Sequence, residues 1–260
     1  MMSRSLFRLA AVAAMALALS GCERSESYRY KLTVAVNTPD GVKRASSVAE
    51  VRFFDVSIPA KGTMHKLRGE ALYLDLGAGA RPLITLLTNW RHPKYDNGIR
   101  WSPEAGPGTR LILRAYGEAP SQDFMDDVPR VARMRGSHTI ASDDLPGLVT
   151  FADVNDPSTV IEVDPNDLEA TLGPNISWNE ITLESTNEPI TEGIERKLPW
   201  IPLYFEQNLR LDGSNLRDAP TLANRLSSWD FDQSSKLTRK GQTTWADVLP
   251  GILRTILHLL

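Results

Sequence analysis

The chain has 260 residues, 42% of them hydrophobic and 23% charged, with a formal net charge of −3 and one cysteine. That length is enough for one large core or two small ones. The mildly acidic balance argues against nucleic acid as a partner and against electrostatic attachment to anionic headgroups, and a single cysteine excludes an internal disulfide.

Residues 1–21 read as a cleaved leader. Arg4 and Arg8 supply a positive start, Leu9 to Leu19 are uncharged and apolar, and the small residues Ser20 and Gly21 precede Cys22. The apolar run is shorter than the roughly 20 residues that span a bilayer. Leu19-Ser20-Gly21-Cys22 resembles the lipobox of bacterial lipoprotein precursors. The resemblance implies that the Cys22 sulfur carries a diacylglycerol, that the leader is cut before Cys22, and that the new N-terminus is acylated. Several buried acyl chains hold a protein firmly on a membrane. Glu23, rather than Asp, follows the cysteine, and by the same resemblance this does not favour inner-membrane retention. The expected place is the outer membrane, with the body facing the periplasm. Cleavage removes Arg4 and Arg8 from the 29 basic residues and none of the 32 acidic ones, leaving a formal charge of −5. It also leaves a body with no free thiol, so thiolate catalysis and Cys-ligated zinc are excluded there.

Residues 22–27 are short and polar and read as a tether. From Tyr28 to Asn37 apolar and polar residues alternate strictly, the mark of a half-buried strand. Asn37 to Gly41 contains Pro and Gly and turns the chain. A second strand is expected within Ser47–Ile58, a third at Ala71–Leu76 and a fourth at Leu83–Thr88, with Gly77-Ala78-Gly79 between the last two. Together they predict one contiguous antiparallel meander over 28–88. Asn89 to Gly108 break the pattern with Trp90, Trp101 and three prolines, as a functional loop would. Leu111 to Tyr116 read as a further strand.

Ser121 to Met134 have helical spacing and early acids, with Pro129 as a breaker. Leu148–Phe151 and Thr159–Val163 predict a strand pair. Asp164 to Asp167 resemble the start of a short helix that Gly173 closes. Asn179 to Thr186 alternate again. Thr191 to Lys197 predict one or two helical turns, and Leu198 to Pro202, with two prolines around Trp200, predict a rigid extended segment. A short helix is expected after Pro220, polar loop from Ser227 to Gln242, and a last amphipathic helix from Thr244 to Leu260, capped by Thr244 and Asp247.

Few residues carry a catalytic pattern. His65, His92, His138 and His258 have no metal-binding spacing. Asp153 to Asp156 and Asp164 to Asp167 gather oxygen ligands, but without calcium-loop spacing. No G-x-S-x-G occurs, and the glycine pairs lack phosphate-loop spacing. No cofactor, metal ligand or catalytic residue is therefore assigned. The sequence predicts an α+β body built on an antiparallel sheet with a few short helices. Its main domain is placed at 28–202, with a C-terminal extension at 203–260. The expected function is a non-catalytic binding or structural role in the envelope, with the membrane reached through the lipid on Cys22 and an envelope protein as partner. Trp90, Trp101 and Trp200 are the candidate partner-binding residues, since rigid aromatic area suits binding hot spots. The alternatives are a lipid-anchored hydrolase of envelope polymers or esters, and a solute-binding lipoprotein.

Overall fold

The computed structural model describes residues 24–56, 62–77, 79–88, 101–102 and 106–234. The leader, Cys22, Trp90 and the expected C-terminal helix lie outside them. The fold is α+β, mostly strand, with two antiparallel sheets.

Strands β1 (Ser25–Thr38) and β2 (Gly41–Val56) form a long hairpin, in register from Ser25 opposite Phe54 to Thr38 opposite Gly41. The alternation read from the sequence is obeyed: Tyr28, Tyr30, Leu32 and Val34 are buried, while the residues between them are only partly so. Ser25 to Ser27 were expected to be tether. They are strand instead, paired with Phe54 to Arg52. Ladder hydrogen bonds use backbone groups alone, so polar side chains do not stop a strand whose neighbour extends alongside.

The hairpin continues into β3 (Gly62–Arg68), which the sequence reading missed. Only Leu67 of its residues is buried, so this edge strand carries almost no hydrophobic signal. Strands β4 (Leu72–Leu74) and β5 (Leu83–Thr85) do not extend this sheet. The expected single meander over 28–88 is thus divided between two sheets. The corner is Gly69, where a Cβ would lie 2.5 Å from the Ala49 Cβ.

A two-residue pair, β6 (Trp101–Ser102) with β7 (Gly106–Pro107), follows. The strand expected at Leu111–Tyr116 is helix α1 (Thr109–Ala115). Leu111, Ile112 and Leu113 are all buried, and a short apolar run does not by itself distinguish strand from helix. Helix α2 (Phe124–Arg133) opens three residues later than the expected Ser121, with the Asp123 side chain accepting from the Met125 amide, and runs through Pro129.

The first sheet is completed by β8 (Ser137–Thr139) and β11 (Ser177–Thr186), in the order β3-β2-β1-β11-β8. The second is completed by β9 (Leu148–Phe151) and β10 (Val160–Glu162), the expected strand pair, in the order β10-β9-β5-β4. Helix α3 (Glu169–Leu172) opens later than expected and ends at Gly173, φ +117°. Asp164 and Asp167 instead accept from the amides of Asn166 and Ala170. A 3-10 turn at Ile194–Arg196, α4 (Ile201–Glu206), α5 (Leu222–Arg225) and a 3-10 turn at Ser228–Asp230 complete the described chain. No described helix is long and apolar enough to cross a membrane.

Two apolar clusters hold these layers together. The first joins the inner face of the five-stranded sheet to α1, α2 and one face of the second sheet, including Leu72, Leu74, Leu83 and Leu148. The second lies on that sheet's other face, where Ile84, Val149 and Phe151 meet Leu198, Trp200, Leu211, Leu226 and Phe231. Burial on both faces explains why every residue of β9, Thr150 included, is buried with no alternation. Beyond the expected boundary at 202, Phe205, Leu211, Leu226 and Phe231 are buried, and the described part of the polar loop expected at 227–242 contains a core phenylalanine, Phe231.

Candidate functional site

Two regions hold unusual side-chain groupings. The first is polar and internal. Past the Gly69 corner the chain forms an antiparallel bridge, Glu70 opposite Asp232. The Ala71 amide donates to the Phe231 carbonyl and the Gln233 amide to the Gly69 carbonyl. Glu70 and Asp232 are both buried, and Glu195 approaches from the 3-10 turn at 194–196. One carboxylate oxygen from each lies within 4.8 Å of the others. Such oxygens are the ligands hard divalent cations take.

The Glu70 oxygens also have protein partners. Oε1 accepts from the Gly193 amide at 2.8 Å and Oε2 from the Ile194 amide at 2.7 Å, while its carbonyl accepts from Ser47 Oγ. Asp232 Oδ1 accepts from the Ser234 amide. Burial raises the Glu70 pKa, the two amides oppose this, and the charges of Asp232 and Glu195 raise it further. The cavity beside Glu70, lined also by Ser47, Thr85 and Leu87, measures about 10 Å3. A ligand pocket is some thirty times larger. The group therefore acts as a buried clamp, binding the Gly69 corner to the turn that opens the second core.

The second region is apolar and lies at one end of the five-stranded sheet. Phe53 sits on the inner face, opposite Glu26 and His65, and Phe54 on the outer face, opposite Ser25 and Met64. Phe53 packs edge-on to Phe124 at 5.4 Å and lies 6.4 Å from Tyr28. Phe124 is 39% and Met64 53% exposed. Arg24 closes this end: its carbonyl accepts from the Asp55 amide, and its guanidinium donates to Asp126 at 2.7 Å and to the Met125 carbonyl at 3.0 Å. The sequence reading missed this grouping. Its one local signal was the adjacent Phe53 and Phe54, which a strand must send to opposite faces.

The expected site residues fare differently. Trp200 is only 6% exposed and packs between Phe151, Tyr204 and Phe231, its Nε1 donating to the Val154 carbonyl. It is a core residue and not a partner-binding one. The extended segment expected at 198–202 is a tight turn leading into α4, because Pro202 falls in the first helical turn, where its missing N–H costs nothing. Trp101 lies in β6, and Trp90 and Cys22 fall outside the described residues. No family model matches the chain, and no curated protein or solved structure is significantly similar to it.

Proposed function

We propose that this is a lipid-anchored protein of the bacterial envelope, held through Cys22 at the outer membrane and facing the periplasm, with a non-catalytic binding or structural role. The observation that carries the reading is the sequence itself: a positive start, an apolar run and a lipobox-like stretch, in that order, ending at Cys22. The fold is compatible with such an anchor, since β1 begins three residues after that cysteine. The Pro- and Trp-containing segment 89–108 remains the partner-binding candidate, with Trp90 and Trp101 as its aromatic anchors.

The buried acids Glu70, Glu195 and Asp232 are the feature a hydrolase reading would invoke. Glu70 and Asp232 are each 2% exposed, and a polymer or ester has no route to them through a cavity of about 10 Å3. A binding role is therefore preferred.

Mass spectrometry of the membrane fraction tests the anchor. The mature chain should begin at Cys22, with the sulfur and the amine acylated, and Cys22→Ser should release the protein from the membrane. An unmodified thiol or a retained leader would overturn the anchor. Pulldown of the lipidated protein from its own membranes, with and without Trp101→Ala, tests the binding role. Turnover of envelope glycan or ester that is lost on mutating one acid would replace it with the hydrolase.

A further inference from the structure

We infer that the Arg24 end of the five-stranded sheet rests on the lipid surface, with Met64 and Phe124 seated among zwitterionic headgroups. This rests on the lipid-anchor reading. If Cys22 carries the acyl chains, its distance from the fold is set by the two peptide units between it and Arg24, at most about 7 Å of fully extended chain. Arg24 cannot swing away to lengthen that link. Its carbonyl is bonded to the Asp55 amide and its side chain to Asp126 and Met125. The polar layer on each side of a bilayer's hydrocarbon is itself about 5–7 Å deep. The end of the sheet is thereby held at headgroup level.

The side chains there suit that depth. Met64 and Phe124 flank the sheet end on its two faces and are among the exposed large apolar residues of the protein. Apolar side chains of this kind sink into the headgroup and acyl boundary. The neighbouring charges decide the lipid. At this end of the sheet Glu26, Asp55, Asp123 and Asp126 are set against Arg24, Arg52 and Lys66, so positive charge is not in excess. Nothing there draws anionic headgroups, which leaves a zwitterionic surface such as phosphatidylethanolamine.

The test uses the mature lipidated protein in phosphatidylethanolamine–phosphatidylcholine vesicles containing doxyl-labelled lipid. Acylated Cys22 has no thiol, so Met64→Cys, Phe124→Cys and Val42→Cys each give one site for a bimane label. Val42 is exposed and pairs with Asn37, roughly 40 Å along the hairpin from Ser25. The protein should float with the vesicles, and emission should be lost at Met64 and Phe124 and retained at Val42. Flotation with Met64 and Phe124 no more quenched than Val42 overturns the docking and leaves the anchor standing. Failure to float, with a free thiol at Cys22, overturns the anchor and the docking with it. Stronger quenching when phosphatidylglycerol replaces phosphatidylcholine overturns the zwitterionic assignment.

Discussion

Arg24 supplies the hydrogen bond that Pro129 withholds. In an α-helix the Met125 carbonyl would accept from the amide four residues on, but that residue is Pro129, inside α2 and without an N–H. The Arg24 guanidinium donates to the Met125 carbonyl instead, at 3.0 Å. One side chain thus closes a gap in the helix and fixes the start of β1.

Arg24→Ala should lower the melting temperature modestly, because the group is solvent-facing and surface ion pairs contribute little. The informative measurement is a double-mutant cycle with Pro129→Ala. Once residue 129 can donate its own amide, losing Arg24 should cost less than it does in the wild type. Strictly additive effects would show that the two residues do not share the Met125 carbonyl.

Gly69→Ala should be disruptive although it adds a single methyl. The new Cβ would lie 2.5 Å from that of Ala49 and 3.0 Å from its Cα, and φ is +158°. Overpacking of this kind costs about 1–3 kcal/mol. Ala49→Gly should recover part of the loss by removing the atom in contact. Equilibrium denaturation of the two single variants and the double variant measures both effects.

Trp200→Ala and Phe231→Ala should each destabilise the fold by about 3–5 kcal/mol, since both side chains lie in the second core. Leu74→Ala, in the first core, should cost about 2–5 kcal/mol. Chemical denaturation reads all three. A near-zero cost for Phe231→Ala would mean that residues 203–234 are detachable after all.

The Glu70 clamp predicts a pH dependence. Its pKa is raised in the fold, first by burial and then by Asp232 and Glu195, against the two amides. Burial likewise raises Asp230, against hydrogen bonds from Thr88 and Ser227. A carboxyl that holds its proton more tightly when folded stabilises most below its unfolded pKa, and that stability is lost as the pH rises through the folded value. The window therefore opens near pH 4, about the ordinary Glu value, and extends upward. Asp212, whose pKa is lowered mainly by hydrogen bonds from Ser214 and Asn224 that outweigh its burial, works in the opposite sense. Glu70→Gln isolates one contribution. It loses a carboxylate oxygen that accepts from a backbone amide, yet its melting temperature relative to wild type should improve as pH rises. A difference that stays constant from acid to neutral pH would exclude this role for Glu70.

Local pattern alone determined a good part of this protein. Strict alternation located β1 and the inward set Tyr28, Tyr30, Leu32 and Val34, because a strand has only two faces and one of them is buried. Turn chemistry located the hairpin at Gly41, the strand pair β9–β10 and the stop at Gly173. The lipobox proposed at Cys22 rests on local pattern alone.

Tertiary structure decided the rest. Leu111 to Leu113 became helix because their burial is settled by α2 and β11, which lie beyond any local window. The meander split at Gly69 because the close approach to Ala49, twenty residues earlier in the chain, requires a residue without a side chain. Trp200 turned inward because Phe151 and Phe231 offered it a second core. The clamp of Glu70 with Gly193 and Ile194, and the apolar end made by Met64 and Phe124, join segments far apart in the chain. Periodicity reports which face of an element is apolar. What that face meets depends on contacts between residues with no common local pattern, and only the folded chain brings those together.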